Sequence, residues 1–162
     1  MENTQSVVGE FATIFDRSGL HAALAFLNAR TRHRYTAVYR FEPPMLRNVC
    51  LYDRENPSLH VGGDSLMHET YCSIVGDRAI SFSTADSLAD PQLTGHPSRG
   101  SVQAYCGAPV VDEHGTCIGT LCHFDPRPRL VPETEILVME RVGALLADTC
   151  AHAASGPRRL QA

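Results

Sequence analysis

The sequence Val102-Gln-Ala-Tyr-Cys-Gly-Ala-Pro-Val-Val111 leads into the turn residues Asp112-Glu-His-Gly115, and a second β-rich stretch follows them, Thr116-Cys-Ile-Gly-Thr-Leu-Cys-His-Phe124. Valine, isoleucine, threonine and aromatic residues favour extended backbone, and both stretches contain several of them. The glycine at position 115 can adopt the positive φ angle that a tight loop requires. The pattern therefore predicts an antiparallel hairpin.

The register of this hairpin predicts which side chains share a face of the sheet. If Val111 pairs with Thr116, then Cys106 and Cys122 face opposite sides, and His123 lies diagonal to Cys106 on one side. A disulfide between these two cysteines is therefore not expected. We interpret His123 as a half-buried histidine whose hydrogen bonds are satisfied, rather than as a ligand.

Outward from the hairpin, hydrophobic spacing and turn residues predict the remaining elements. These are a helix over 7–30 with a break at 18–19, strands over 34–41 and 46–52, a helix from 64 or 65 to a glycine at 76, a strand over 79–83, an irregular segment over 84–100, and a helix over 132–150. No β-α-β alternation occurs. The order indicates an α+β fold in which helices gather on one side of an antiparallel sheet.

Length and composition are those of a globular domain. The chain has 162 residues, of which 43% are hydrophobic and 20% charged, and a chain of this size builds one hydrophobic core. We expect a single domain over residues 1–152 and a flexible C-terminal tail over 153–162.

Charge and hydropathy argue against several classes of partner. The net charge of -4 gives no broad positive field for nucleic acid. No apolar run approaches the length of a membrane span, and the N-terminus does not have the order of a signal peptide. We therefore expect a cytoplasmic protein whose six cysteines, which show no CxxC spacing, are mostly buried and inert.

Four segments of the chain resemble a known family in their order and spacing. They are residues 69–75 (Glu-Thr-Tyr-Cys-Ser-Ile-Val), 84–91 (Thr-Ala-Asp-Ser-Leu-Ala-Asp-Pro), 105–110 (Tyr-Cys-Gly-Ala-Pro-Val) and 115–129 (Gly-Thr-Cys-Ile-Gly-Thr-Leu-Cys-His-Phe-Asp-Pro-Arg-Pro-Arg). The chain resembles bacterial GAF sensor domains over residues 7–150. The resemblance implies a central antiparallel sheet of about six strands, terminal helices on one face, and short helices and loops closing a pocket on the other.

The same resemblance implies a non-catalytic sensory or regulatory module of bacterial signal transduction, which binds a small molecule, forms a homodimer, or both. An alternative is a thiol-based redox enzyme related to the free methionine-R-sulfoxide reductases, which are also GAF relatives. Those enzymes need a reactive thiol in the loop before the penultimate strand, and residues 84–101 contain no cysteine. Gln103-Ala-Tyr105 stands where we associate a Ser-Glu pair with the reductases. We therefore expect no enzymatic activity.

No cofactor is required by the sequence. Phytochrome-type GAF domains attach a bilin through a Cys-His dipeptide on a helix, whereas Cys122-His123 lies on a predicted strand. His68 and His96 join His123 as candidate axial ligands of a haem, but nothing in their spacing supports one. The absence of HxxxH and CxxC spacing likewise predicts no structural metal.

A small-ligand pocket is the remaining functional hypothesis, because such pockets combine apolar walls with a few polar anchors. Seven residues are candidates for its lining: Tyr71, Cys72, Asp86, His96, Arg99, Tyr105 and Cys122. Three alternatives stay open. Asp86 could have a turn-forming role and no role in binding. His96 and Arg99 could be solvated loop residues, and Tyr71 and Tyr105 could belong to the core.

The terminal helices are the predicted homodimer contact. Leu137 and Val138 lie beside the apolar face formed by Ile136, Met139 and Val142. One sheet can cover only one side of a helix, so the remaining apolar surface predicts a second chain that covers it. The alternative is that this surface packs between the helices of one monomer.

Overall fold

The protein is described here by a computed structural model that covers residues 3–153. Within this range the helices are α1 (Thr4–Ser18), α2 (Leu20–Asn28), α3 (Cys72–Arg78), α4 (Glu133–Gly143) and α5 (Ala147–Ala153). The strands are β1 (Tyr35–Glu42), β2 (Met45–Asp53), β3 (Ser65–Leu66), β4 (Phe82–Thr84), β5 (Ala104–Val111) and β6 (Cys117–Asp125). They form one antiparallel sheet in the order β3-β2-β1-β6-β5-β4. The predicted α+β class and six-stranded sheet are confirmed.

Each face of the sheet has its own core, because side chains alternate along the strands. Val38 and Leu121 face α1, α2, α4 and α5, where they meet Phe11, Leu24 and Met139. The opposite face is covered by α3 and the segments that flank it, with Val75, Tyr71 and Leu93 among the buried residues. The terminal helices therefore lie on one face, as the resemblance implies.

The β5–β6 hairpin is confirmed, but its register differs from the predicted one. Val111 pairs with Cys117 rather than with Thr116, and the ladder shifts between Val110 and Val111. The cause is a longer turn, in which the Asp112 carboxylate accepts the backbone N–H of Thr116 at 2.9 Å. Gly115 has the predicted positive φ of 81°.

The shift in register changes which residues pair across the hairpin, but each side chain stays on its predicted face of the sheet. Cys106 lies directly opposite His123 rather than diagonal to it. Cys106 and Cys122 still face opposite sides of the sheet, since the first packs with the terminal helices and the second with α3. The prediction against a Cys106–Cys122 disulfide is therefore confirmed.

The helix predicted from residue 64 or 65 begins later than the sequence suggested. Asp64 does not cap a helix, because its carboxylate accepts the backbone N–H of Asn48 at 2.8 Å and pairs with Arg47 at 3.0 Å. Residues 65–66 instead extend the sheet as β3. Gly76 lies inside α3, where a Cβ atom would meet the ring of Phe41 at 2.8 Å, and Ala79 takes the left-handed conformation that ends the helix.

The terminal helical regions are both divided. Gly19, with a φ of 91°, separates α1 from α2 where the sequence predicted a break. The predicted helix over 132–150 was wrong in being continuous, because α4 ends at Gly143 and α5 begins at Ala147. A Cβ atom at 143 would lie 2.8 Å from the carbonyl oxygen of Pro109, so glycine, a weak helix former, is required at this contact.

Two predictions about the termini need comment. Val138 was predicted as surplus surface, but it is 1% exposed and belongs to the core. Ala153 ends α5, and the rest of the predicted tail, 154–162, lies outside the described residues. Within 3–153, no helix is long and apolar enough to cross a membrane.

Candidate functional site

A cavity of about 270 Å³ lies on the sheet face opposite the terminal helices. Its lining residues come from β1, β2, β5, β6 and the covering segments: Tyr39, Leu46, Ser65, Thr70, Tyr71, Cys72, Ser98, Ser101, Val102, Tyr105, Cys122 and Phe124. Ser65 and Ser101 are exposed, so the cavity opens to solvent at this end. Aromatic rings form most of its inner wall.

Strand alternation explains why these side chains meet. Cys122 and Phe124 are two residues apart on β6, and Tyr105 lies opposite Phe124 on β5. Two residues beyond Tyr105 is Gly107, where a Cβ atom would lie 2.2 Å from the Tyr105 hydroxyl oxygen. Tyr105 therefore lies flat along its own strand because position 107 has no side chain.

The Cys72 sulfur lies at the inner end of the cavity and accepts hydrogen bonds from several donors. The Tyr105 hydroxyl donates to it at 3.2 Å, and the Thr120 hydroxyl at 3.1 Å. Cys122, two residues after Thr120 on the same face of β6, is its thiol neighbour, and each thiol influences the pKa of the other. Three strand residues thus converge on one sulfur at the start of α3.

These contacts set the protonation of the two thiols in opposite directions. Burial raises the pKa of Cys72, but hydrogen bonds from Cys122, Thr120 and Tyr105 outweigh it and hold the pKa below its ordinary value. Burial, and the hydrogen bond to Cys72, raise the pKa of Cys122 well above its ordinary value. Of the two thiols, Cys72 is therefore the one that loses its proton more readily.

Four hydroxyl groups of the lining donate to backbone carbonyls. Tyr71 donates to Val102 at 2.7 Å, and Thr70 donates to Met67 at 2.8 Å. Ser98 and Ser101 donate in the same way, to the carbonyls of Glu69 and Ser98. Since each hydroxyl has a single hydrogen, its oxygen keeps lone pairs with which it can accept a hydrogen bond.

The structure brings four of the seven predicted pocket residues together. Tyr71, Cys72, Tyr105 and Cys122 all line the cavity, and all are buried. The other three lie outside its lining. Asp86, at a turn, and His96 and Arg99, in a loop, are closer to the turn and loop roles that the sequence left open as alternatives.

Asp86, His96 and Arg99 organise the covering segment. Asp86 precedes a short 3-10 turn, and its carbonyl accepts the N–H of Ala89 at 3.1 Å. Arg99 donates to the carbonyl of Ser87 at 3.0 Å, so it braces the segment from within. His96 packs its ring against Tyr71 at a centroid distance of 4.7 Å, next to the cavity.

Several site residues were missed from the sequence. Tyr39, Thr120 and Phe124 face the cavity or its cysteine, and Ser98 and Ser101 line the mouth. The alternation from Cys122 could have identified Thr120 and Phe124, since residues two apart share a face. No comparable signal marks the two serines, which lie in an irregular segment.

The other four cysteines lie away from this site. Cys106 and Cys150 pack against the terminal helices, and burial raises the pKa of each thiol to about 12. Burial also raises the pKa of Cys117, which is half-buried near the turn. Cys50 is buried on the helix side of β2. These positions agree with the prediction of buried, inert thiols.

His123 lies on the opposite face, within a buried polar network. Its Nδ1 is 2.7 Å from the Thr36 hydroxyl, and its Nε2 is 2.8 Å from a carboxylate oxygen of Glu135. Arg30 pairs with the second oxygen of that carboxylate at 3.0 Å. The prediction of a satisfied histidine is confirmed, although the side chain is fully rather than half buried.

A second, polar cleft of about 280 Å³ lies at the end of the sheet, beside Arg32, Arg34, Arg54, Glu55, Asp125 and Arg129. Most of its charges are neutralised within the chain. Arg34 pairs with Asp53 at 2.9 Å and Arg129 with Asp125 at 3.1 Å. Asp125 also accepts the backbone N–H groups of Arg34 and Arg127, so this carboxylate fixes the turn after β6. We interpret the cleft as structural.

Within residues 3–153, no three His, Cys, Asp or Glu side chains are grouped so that they could hold a metal ion. The two thiols of the cavity have hydroxyl neighbours rather than further ligands. The geometry at Cys72 is thus that of a hydrogen-bonded sulfur.

The family model described as GAF domain matches residues 12–149. The chain belongs to the GAF domain family. No curated protein matched the sequence.

Solved structures with the same fold include domains of different activity. The GAF domain of an Acinetobacter phosphoenolpyruvate-protein phosphotransferase has a TM-score of 0.74 at 16% identity, over 97% of this chain and 99% of that one. The free methionine-R-sulfoxide reductase of Neisseria meningitidis has a TM-score of 0.70 at 13% identity, over 93% and 90%. The A. aeolicus nlh2 GAF domain has a TM-score of 0.63 at 17% identity, over 90% and 93%. At these identities the similarity establishes the GAF fold alone.

Proposed function

We propose that this GAF domain is a non-catalytic regulatory module of bacterial signalling that binds a small uncharged molecule in the cavity beside α3. The observation that carries the proposal is the cavity itself, enclosed by four aromatic rings and opening to solvent beside two exposed serines. Its volume of about 270 Å³ lies just below the roughly 300–1,000 Å³ of pockets for drug-sized ligands. The ligand is therefore smaller than a nucleotide.

The lining argues for an uncharged ligand. None of the described residues that line the cavity is Asp, Glu, Lys, Arg or His. An ion that left water for such a wall without an opposite charge would lose much of its hydration free energy. The hydroxyl oxygens of Thr70, Tyr71, Ser98 and Ser101 offer acceptors, so we expect the ligand to carry O–H or N–H donors on an apolar body.

Strand β6 offers a path from the cavity to the terminal helices. Cys122 and Phe124 face the cavity, whereas Leu121 and His123 face the opposite core. His123 is bonded to Glu135 of α4. A ligand that displaces β6 would therefore change the packing of α4, and this link supports a regulatory role.

The chain differs from the sulfoxide reductases in the feature that their chemistry needs. Segment 84–101 covers the cavity and contains no cysteine. The cavity also has no carboxylate that could hold the ammonium group of methionine sulfoxide. We therefore expect no turnover of free methionine-R-sulfoxide, which an assay with a dithiol reductant would check.

The ligand proposal is tested by thermal unfolding with a library of small molecules sorted by charge. A ligand present at a hundred times its Kd stabilises the folded state by about 2.7 kcal/mol, which raises Tm by several degrees. We expect stabilising compounds to be uncharged and to carry hydrogen-bond donors. Cations and anions of similar size should leave Tm unchanged.

A pair of matched variants locates the binding site. Ser101→Trp places a large ring at the mouth of the cavity, whereas Ser58→Trp places one in an exposed loop elsewhere. The first variant should lose the stabilisation and the second should keep it. Compounds that stabilise both variants equally, or a library with no stabilising compound, would contradict the proposal.

A further inference from the structure

We propose that Cys72 and Cys122 form a peroxide-reactive dithiol site at the inner end of the cavity, in which a small hydroperoxide converts the two thiols into a disulfide. The site reacts once per reduction rather than turning over. It shares the cavity with the proposed ligand but requires no ligand to be bound.

Position is the first support for this site. Both residues line the cavity, and Thr120, which donates to the Cys72 sulfur at 3.1 Å, lies two residues before Cys122 on the same face of β6. The proposal requires that side-chain rotation bring the two sulfurs to the ~2.05 Å of a disulfide. None of the remaining four cysteines lines the cavity. A peroxide that enters through the open end therefore meets this pair.

The surroundings of Cys72 favour a nucleophilic sulfur. Its sulfur accepts the hydroxyls of Tyr105 and Thr120 at 3.2 and 3.1 Å. Donors of this kind stabilise a thiolate, which is the reactive form of cysteine. The titratable groups that face Cys72 are Cys122 on β6 and the phenols Tyr105 and Tyr39 on β5 and β1. Cys122 keeps its proton and is suited to react second.

The reaction balances in two steps. In the first, the Cys72 thiolate attacks the terminal peroxide oxygen, so an S–O bond forms and the O–O bond breaks. The departing hydroxide or alkoxide takes a proton from solvent and leaves as water or an alcohol. The product is a sulfenic acid at Cys72, oxidised by two electrons. In the second, Cys122 sulfur attacks Cys72 sulfur, an S–S bond forms, the S–O bond breaks, and the thiol proton leaves with the hydroxide as water.

The test follows the reduced domain after addition of hydrogen peroxide or tert-butyl hydroperoxide, using intact mass and peptide mapping. We expect the loss of two hydrogen atoms and a single new crosslink, between Cys72 and Cys122, that dithiothreitol reverses. Cys72→Ser should abolish the fast reaction. Cys122→Ser should stop at a sulfenic acid on Cys72 that dimedone traps. Cys106→Ser, on the other face of the sheet, should react like the wild type.

Tyr105→Phe distinguishes an activated thiol from one that is only accessible. Removing this donor should raise the pKa of Cys72 and move the rate–pH profile upward, with about a tenfold slower reaction per pKa unit at neutral pH. An unchanged profile, a crosslink between other cysteines, an unreactive wild type, or equal rates for Cys72→Ser and the wild type would each overturn the proposal. A compound library in which nothing stabilises the wild type would contradict the ligand proposal and leave this result unaffected, so the two proposals fail separately.

Discussion

At the scale of single residues, the site depends on one glycine as much as on the side chains that line it. Tyr105 reaches Cys72 by lying over Gly107, and a Cβ atom there would approach its hydroxyl oxygen to 2.2 Å and its ring to 2.5 Å. The ring is buried between α3 and the sheet, and a move into the cavity would break its hydrogen bond to Cys72.

We therefore expect Gly107→Ala to lower the free energy of unfolding by about 1–3 kcal/mol, the usual cost of overpacking a core. Gly9→Ala is the matched control, because nothing lies within 4 Å of that position on α1. In a helix interior this control should stabilise by about 0.5–1 kcal/mol. Urea unfolding measures both, and a neutral Gly107→Ala would show that Tyr105 is not held as described.

His33 makes the stability of the folded state depend on pH, and the direction of this dependence follows from its pKa. It is 1% exposed and its Nε2 has no hydrogen-bond partner among the described residues. Burial, and then the nearby His123, lower the pKa of His33 to about 4. In the unfolded chain a histidine titrates near its ordinary value of about 6.5. Between these values the unfolded state binds more protons, so stability falls as the pH falls.

The expected loss is about 3 kcal/mol between about pH 6.5 and about pH 4. His33→Phe should flatten this part of the stability profile, whereas His114→Phe, in the exposed hairpin turn, should leave it unchanged. Glu135, whose pKa is lowered by its partners despite burial, loses its contribution only below the ordinary glutamate pKa, so it does not mask the effect. Equal slopes in the wild type and His33→Phe would contradict the assignment.

Residue types alone predicted the aromatic and thiol members of the site better than its charged ones. Burial is favourable for the apolar side chains of Tyr71, Tyr105 and Cys122. Strand and helix patterns therefore predicted that these residues face the interior. Asp86 and Arg99 were predicted as polar anchors of an apolar pocket. In the structure, Arg99 instead donates to backbone carbonyls of the same loop. These hydrogen bonds depend on the path of the loop, which the spacing of residues in the sequence does not predict.

At the scale of elements, the covering segment is held by polar contacts as well as apolar ones. Arg99 donates to the carbonyls of Ser87 and Leu88 at 3.0 and 2.9 Å, and the Ser87 hydroxyl donates back to the carbonyl of Arg99 at 2.6 Å. Leu93, 1% exposed, anchors the same segment in the core. The segment is therefore held in one conformation as a wall of the cavity.

Arg99→Lys keeps the positive charge but loses the planar fork that reaches two carbonyls. We expect hydrogen exchange over residues 84–102 to become faster by about tenfold, which corresponds to about 1.4 kcal/mol of local stability. Arg78→Lys, exposed at the end of α3, is the control and should change nothing. Equal exchange in both variants would mean that the segment is held by its apolar anchor alone.

Element boundaries show where a sequence pattern stops being informative. The β5–β6 hairpin followed from alternating residues and turn chemistry, and the break at Gly19 from a Ser-Gly pair. The start of α3 did not follow, because Asp64 is as good a partner for Arg47 as it is a helix cap. The division between α4 and α5 depends on the approach of Gly143 to a β5 carbonyl, a tertiary contact that helical periodicity does not encode.

At the scale of the whole molecule, the terminal helices still predict a homodimer. Val138 is part of the monomer core, so the surplus apolar surface is smaller than the sequence suggested. Leu137 and Leu145 remain 41% and 42% exposed on the outer side of the helical layer. We expect two copies to cover these leucines against each other.

Light scattering at micromolar concentration tests the dimer. Leu137→Glu should reduce the mass to that of a single 17.7 kDa chain, while Leu88→Glu, exposed on the cavity side, should leave it unchanged. A wild type of monomeric mass that does not change with concentration would exclude the dimer, and a dimer that survives Leu137→Glu would place the contact elsewhere.

The most direct test of the account is a crystal structure of this GAF domain with a small uncharged compound that stabilises it. We expect the compound to lie in the cavity, in contact with Tyr71, Tyr105 and Phe124 and with its donors on the hydroxyl oxygens of the mouth. Density for the compound in the arginine-lined cleft or on the helical face, with only water in the cavity, would contradict the account.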